Sequence, residues 1–190
     1  MNVKLSKIKR LCLNRGQIRL YTADRPQNMI MQWLGIDGAL YPVEGVTLTM
    51  DLLAVVWELS ASVRGNLDVQ EMSIGDAVEN GLLGSEDAAI LQCAAGMVDM
   101  AAMERIRLGR VFDHVALALG EDGMMLVPES VCAPCWWGDT AYEITRGETT
   151  QVLVYTDGQL SGVVRPADEK AAAVAEATLK TLARKTCIGA

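Results

Sequence analysis

Three Asp-Gly dipeptides, each flanked by short apolar runs, constrain the fold of this chain more than any other feature. They are Asp37-Gly38, Asp122-Gly123 and Asp157-Gly158. Asp-Gly suits a tight hairpin because both central residues of a type I′ turn need positive φ. Each dipeptide therefore predicts two antiparallel strands joined by a two-residue turn.

The stretch of residues 18–59 shows this pattern most fully. It predicts three strands, at residues 18–22, 29–34 and 39–43. A helix follows, with Thr47 or Thr49 as its N-cap. Five apolar residues are spaced to form one face of that helix, which we expect to cover one side of the sheet: Leu48, Leu52, Val55, Val56 and Leu59.

Three further helices are predicted from capping residues and apolar periodicity. One is short and covers residues 5–14, and a longer one is capped by Ser85 and continues to residue 106. The last is opened by Pro166 and Asp168 and runs to about residue 184. Together the patterns predict an α+β fold, in which antiparallel hairpins form a sheet packed by helices that start near residues 49, 85 and 167.

Residues 33–59 and 152–182 share the order hairpin, Pro, helix, which suggests a loose duplication of one hairpin-helix unit. The alternative is that such units simply recur in α+β proteins. The length of 190 residues predicts a single α+β domain, residues 1–190, with subdomains 1–110 and 111–190 as the alternative.

Composition predicts a cytoplasmic protein that does not enter a membrane. Hydrophobic residues make up 51% of the chain. No apolar run approaches the roughly 18 residues that span a bilayer. The basic N-terminal segment lacks the apolar stretch of a signal peptide.

The net charge of −7 is unevenly distributed. Residues 1–25 carry seven basic side chains and one acidic one, whereas the remainder of the chain is strongly acidic. Lys4, Lys7 and Arg10 could therefore contact nucleic acid or another anionic partner. A chain with a pI of 4.8 lacks the broad basic surface typical of phosphate binding, which disfavours nucleic acid.

Cys132-x-x-Cys135 is the motif best suited to carry redox chemistry or to bind a metal. Two thiols at this spacing can form a redox disulfide or supply half of a zinc site. Redox pairs sit at a helix N-terminus, yet the residues after Cys135 have the composition of a loop. Zinc would need two more ligands, and no second close pair supplies them; the simpler interpretation is two ordinary loop or core cysteines.

Trp136 and Trp137 follow directly and allow two interpretations. Exposed, they would form a binding surface, because Trp is enriched at interaction hot spots. Buried, they would close the core.

No residue is predicted to be catalytic. The chain has neither G-x-x-x-x-G-K-[ST] nor G-x-G-x-x-G, and its single histidine, His114, stands in no nucleophile signature. No cofactor is predicted.

Three segments resemble uncharacterised proteins of phages and prophages of Gram-positive gut bacteria. They are Val3-Lys4-Leu5-Ser6-Lys7, the run from Gln32-Trp33 to Tyr41-Pro42, and the final strand pair with its helix, residues 151–184. The resemblance implies a phage-encoded protein and no known reaction.

The sequence thus favours a non-enzymatic phage-type protein that acts by protein binding or self-assembly. The alternative is a nucleic-acid-associated factor that uses the basic N-terminal segment. A thiol or metal site at Cys132 and Cys135 is the third hypothesis.

Overall fold

The computed structural model describes residues 3–23, 30–93, 98–119, 123–147, 149–168, 170, 173–174 and 177. Within these ranges the chain forms two β-sheets and several short helices, which confirms the predicted α+β class. No helix in the described part is long and apolar enough to cross a bilayer.

The ten strands of the described part of the chain form a seven-stranded sheet and a three-stranded sheet. In chain order they are β1 Gln17–Thr22, β2 Ile30–Ile36, β3 Ala39–Glu44, β4 Asp68–Ser73, β5 Arg107–Val111, β6 His114–Ala118, β7 Met124–Pro128, β8 Thr140–Arg146, β9 Thr150–Thr156 and β10 Gln159–Val164. The large sheet has the order β4-β1-β2-β3-β10-β9-β8, and the small one β5-β6-β7.

The predicted hairpins β2-β3, β6-β7 and β9-β10 are all antiparallel pairs. The predicted type I′ turn is confirmed at Asp157-Gly158, where both residues have positive φ, whereas at Asp37-Gly38 only Gly38 does. Asp122 lies outside the described residues, and residues 119–123 connect β6 to β7, so the prediction of a two-residue turn there is wrong; Leu119 N–H donates to the Gly123 carbonyl. One pair departs from the antiparallel prediction, because β1 and β4 run parallel. Helices lie between them in the chain, as a parallel connection requires.

The centre of the large sheet is the antiparallel pair of β3 and β10. On either side lies a three-stranded antiparallel meander, β1-β2-β3 and β10-β9-β8. This arrangement has the pseudo-twofold order that a duplication would produce, although the duplication itself remains a prediction. Strands from both sides of residue 110 share the sheet.

The helices are α1 Leu5–Arg15, α2 Met50–Val56, α3 Ala61–Gly65, α4 Ile74–Glu79, α5 Ser85–Cys93 and α6 Glu129–Cys132, with a 3₁₀ turn at Ala133–Cys135. The N-cap prediction at Thr49 is confirmed, since its hydroxyl accepts a hydrogen bond from the Leu52 backbone N–H at 3.2 Å. Of the predicted last helix, the described residues 170, 173–174 and 177 are helical, and the remainder lies outside the described residues.

The predicted buried face of α2 is wrong. Of the predicted residues, Leu48 is buried and Leu59 packs against the core, as expected. Leu52, Val55 and Val56 are exposed, and Met50, Leu53 and Trp57 are buried in their place. Both sets fit helical spacing, so periodicity alone does not separate them. The buried set contains Trp57, whose larger apolar surface gains more from leaving water.

The two faces of the large sheet bury separate cores, because successive side chains of a strand point to opposite faces. Core one contains Ile18 and Val154 and is covered by α1, α2, α6 and the small sheet. Core two contains Tyr21 and Tyr155 and is covered by α4 and α5.

The prediction of one long helix from Ser85 to residue 106 is also wrong. Helix α5 ends at Cys93, and residues 98–106 contain no helix. Val98 and Met103 pack against core two, whereas Ile106 packs against core one. The segment passes from one face of the sheet to the other, and this tertiary demand overrides its helical propensity.

Close packing of the 3₁₀ turn on β10 gives a testable prediction. A Cβ atom at Gly162 would lie 2.7 Å from the Cys135 Sγ atom. We expect Gly162→Ala to lower the free energy of unfolding by about 1–3 kcal/mol, the usual cost of overpacking. Urea unfolding followed by tryptophan fluorescence measures this.

Cys135→Ala in the same chain removes the clashing sulfur, so the double variant should recover part of that loss. Strict additivity of the two single changes in the double-mutant cycle would contradict the proposed contact.

Candidate functional site

Strand β8 is the last strand of the large sheet. Its seven residues pair with β9 on one side. Among the described residues, no backbone hydrogen bond is made to its other side. An unpaired edge presents a row of N–H and C=O groups that can accept another strand.

The Asp157-Gly158 turn determines which groups of β8 face outward. Both turn residues have positive φ, 48° and 82°, as a type I′ turn requires. Thr156 therefore bonds Gln159 across the hairpin, and Asp157 N–H turns the other way and donates to the Asp139 carbonyl at 2.8 Å. Because bonding alternates along an antiparallel pair, four residues of β8 direct their backbone groups away from β9: Thr140, Tyr142, Ile144 and Arg146.

Two adjoining cavities run along this free edge. The larger, of about 740 Å³, follows β8 from Tyr142 to Arg146. The smaller, of about 260 Å³, continues from Asp139 to Tyr142. Four residues line both cavities, Met103, Glu104, Ile106 and Tyr142. We call the combined space the edge groove.

The opposite wall of the edge groove is the crossing segment, residues 98–106. At one end Val98 N–H donates to the Gly158 carbonyl at 2.8 Å, which ties the segment to the β9-β10 turn. At the other end the Ile106 carbonyl accepts from Ala118 N–H at 2.6 Å. Both ends are thus fixed to sheets, while the middle stands away from β8.

The lining of the edge groove combines apolar and polar groups. Val98, Met103 and Leu119 contribute apolar surface. Glu143 is also engaged within the fold, because its carboxylate accepts a hydrogen bond from the Tyr155 hydroxyl at 3.0 Å. Burial and the nearby Glu143 both raise the pKa of Tyr155, so its hydroxyl keeps its proton and remains a donor.

Trp136 lies behind the groove. Its Nε1–H donates to the Tyr142 hydroxyl at 2.9 Å, and the Arg107 guanidinium lies 5.4 Å from its ring centroid. Burial raises the pKa of Tyr142 to about 12, against the opposing effect of the Trp136 hydrogen bond. Trp136 is therefore a partly buried residue that holds a groove residue in place, whereas Trp137 is 37% exposed.

Cys132 and Cys135 are fully buried free thiols. The composition of residues 129–140 predicts a loop, which is wrong for residues 129–135, because these form α6 and the 3₁₀ turn. Cys132 ends α6, where the helix dipole disfavours a thiolate. Burial raises the pKa of Cys132 to about 12 and that of Cys135 well above its usual value, and the Cys135 thiol donates to the Ser161 carbonyl at 3.1 Å.

Lys4, Lys7 and Arg10 are exposed at the start of α1. Their spacing of three places them along one side of the helix. None of them takes part in an ion pair among the described residues. Lys9 faces differently and donates to the Trp57 carbonyl.

Within the described ranges, no cluster of three or more His, Cys, Asp or Glu side chains could hold a metal ion. Comparisons with protein-family models, with curated proteins and with solved structures give no match.

The groove residues Tyr142, Ile144 and Met103 are not among those that sequence reasoning selected. Periodicity predicts a strand near residues 141–145 but cannot give its place in the sheet, because strand order depends on distant pairings. The adjacent Trp136 and Trp137 were the sequence signal nearest to this site. Trp136 supports the groove through its hydrogen bond to the Tyr142 hydroxyl.

The assignment of outward-facing groups can be tested with proline, which has no backbone N–H. We expect Ile144→Pro to leave the ladder with β9 intact, because the Ile144 amide faces the groove. Thr145→Pro should cost more, since it removes a ladder bond worth about 1 kcal/mol and leaves a carbonyl unpaired.

Urea unfolding measures the free energy of unfolding of both variants. A larger loss of stability for Ile144→Pro than for Thr145→Pro would reverse the orientation assigned to β8.

The raised thiol pKa values give a second test. Thiolate is the reactive form, so iodoacetamide at pH 8 should modify Cys132 and Cys135 far more slowly in the folded protein than in urea, as mapped by peptide mass spectrometry. Folded thiols that hold protons above their ordinary pKa of 9.0 stabilise the fold at lower pH, and this contribution is lost as pH rises toward 12. Rapid labelling of folded Cys132 would contradict the buried-thiol assignment.

Proposed function

We propose that the protein is a non-enzymatic binding protein that takes an extended peptide segment of a protein partner as an added strand on β8. The observation that supports this most strongly is the coincidence of a free sheet edge with a groove along its whole length. Strand addition draws affinity from main-chain hydrogen bonds and specificity from pockets for alternate side chains.

The geometry suits a short segment. Four outward residues of β8 offer backbone donors and acceptors, and they span seven residues of strand, about 20 Å. A partner strand would lie between β8 and the crossing segment and satisfy these groups, and its side chains would point alternately to the two faces of the sheet.

The side chains of the groove favour binding over catalysis. Among the described residues that line the two cavities there is neither Cys nor His, and of the three acids Glu104, Asp139 and Glu143, the last already accepts the Tyr155 hydrogen bond. Apolar contacts from Met103, Ile106 and Ile144 supply burial for a peptide's apolar side chains.

The resemblance to phage and prophage proteins suggests where such a partner would come from. In that setting the added strand would belong to another phage-encoded protein or to a second copy of this chain, as in assembly. Cytoplasmic action is part of the same proposal.

A displayed library of random linear peptides provides probes for the groove. We expect enriched peptides to bind the full chain with saturable fluorescence anisotropy. Ile144→Pro should weaken that binding at least about tenfold, because it removes an outward amide that the peptide would bond.

Ile144→Val is the matched control, since Val and Pro carry the same number of side-chain carbons and Val keeps the amide. It should bind like the wild type. Equal binding by all three proteins would contradict strand addition at this edge.

A nucleic-acid role is the second candidate, favoured by the exposed, unpaired row of Lys4, Lys7 and Arg10 on α1. If it is correct, Lys4→Ala/Lys7→Ala/Arg10→Ala should abolish salt-sensitive binding to a DNA or RNA duplex. The physical reason is that each phosphate neutralised by a basic side chain releases about one counterion, and this release makes binding salt-dependent.

Arg64→Ala/Arg110→Ala is the control, since both of these arginines are already ion-paired. Electrophoretic mobility shifts at low salt measure the effect. Absence of wild-type binding at low salt would rule out this candidate.

A further inference from the structure

Another cavity, which shares no lining residue with the edge groove, is lined by polar side chains on the core-two face of the large sheet. It has a volume of about 60 Å³ and lies beside the Asp37-Gly38 turn. Five side chains supply its polar lining besides the turn: Arg19, Tyr21, Asp87, Gln151 and Arg165. We call it the polar cavity.

Asp87 organises one side of the polar cavity. It is 4% exposed, and its Oδ2 pairs with the Arg165 guanidinium at 2.8 Å. Its Oδ1 accepts a hydrogen bond from the Gln151 side-chain amide. The carboxylate is thus neutralised and hydrogen-bonded at both oxygens, so it needs neither a counter-charge nor a hydrogen bond from a ligand.

Two groups of the lining have no hydrogen-bond partner among the described residues. Gln151 is 1% exposed, and its Oε1 atom accepts no hydrogen bond from them. The Arg19 Nε–H is likewise buried and unpaired. Buried polar groups in folded proteins are bonded as a rule, so such exceptions need a partner.

Arg19 also lacks a counter-ion. Within the described part of the chain, it forms none of the ion pairs that engage Arg15, Arg64, Arg110 and Arg165. Its guanidinium lies near the Tyr21 hydroxyl and acts to lower the pKa of that group, against the larger effect of burial. Burial raises the pKa of Tyr21, so this hydroxyl stays protonated. Among the described residues, the cavity therefore offers a guanidinium that belongs to no ion pair, together with an unused acceptor, while the Asp37 carboxylate that also lines it pairs with Arg15.

We propose that the polar cavity binds a small α-hydroxycarboxylate. A planar carboxylate matches the donor geometry of a guanidinium and would neutralise Arg19. A hydroxyl hydrogen on the same molecule would satisfy the Gln151 Oε1 atom, which can only accept. The volume restricts the ligand to about two or three carbons, because a single water already needs about 10–15 Å³ of such space.

The test titrates the full chain, labelled with ¹⁵N, with glycolate, acetate and phosphate separately. We expect glycolate to bind saturably and to shift the Arg19 Nε–H and Gln151 side-chain amide resonances. Acetate lacks the hydroxyl and should bind about tenfold more weakly, the value of one lost hydrogen bond. Phosphate should also bind more weakly than glycolate.

Arg19→Gln should abolish glycolate binding, and Arg64→Gln, at an exposed arginine paired with Asp51 outside the cavity lining, should leave it unchanged. The amide spectrum of each variant reports whether it is folded, and the comparison of ligands on the wild type needs no variant. No saturable shift at tens of millimolar ligand would overturn the proposal, as would acetate or phosphate binding as tightly as glycolate.

Discussion

The Asp157-Gly158 turn is the constraint on which the candidate site depends. Positive φ at both residues closes a two-residue hairpin and fixes which backbone groups of β9 bond to β10. The remaining groups must bond to β8, and the Asp157 side chain extends this control by accepting from Asp139 N–H at 2.9 Å. Val98 N–H bonds the Gly158 carbonyl. One turn therefore orients the free edge and anchors the segment that faces it.

The crossing segment gives the edge groove its shape. Because it is tied to the β9-β10 turn and to β6, it must pass the edge of β8 between the two cores. Exposed sheet edges are prone to unwanted pairing, and proteins commonly cover them with other segments. Here the crossing segment leaves cavities between itself and β8, so the backbone groups of β8 are shielded but can still be reached by a peptide. That combination favours selective strand addition over general aggregation.

The sequence predicted the local elements well. The Asp-Gly dipeptides located the three hairpins, and Thr49 located the start of α2, but positive φ at both turn residues holds at Asp157-Gly158 and not at Asp37-Gly38. It failed where tertiary contacts decide the outcome. Two faces of α2 both satisfied helical spacing, and the crossing segment after α5, which is not helical, had the composition of a helix. The site itself depends on strand order, which is why Tyr142 and Ile144 could not be selected, and why Trp136 was noticed without its role behind Tyr142.

Residue-resolved amide hydrogen exchange along β8, with and without a peptide selected for binding, tests the central claim most directly. Strand addition on β8 predicts rapid exchange in the free protein at Tyr142, Ile144 and Arg146, and slow exchange at the residues between them that bond to β9. A bound peptide should slow the first set. Slow exchange of those three amides in the free protein, or a bound peptide that leaves their exchange unchanged, would contradict strand addition on β8.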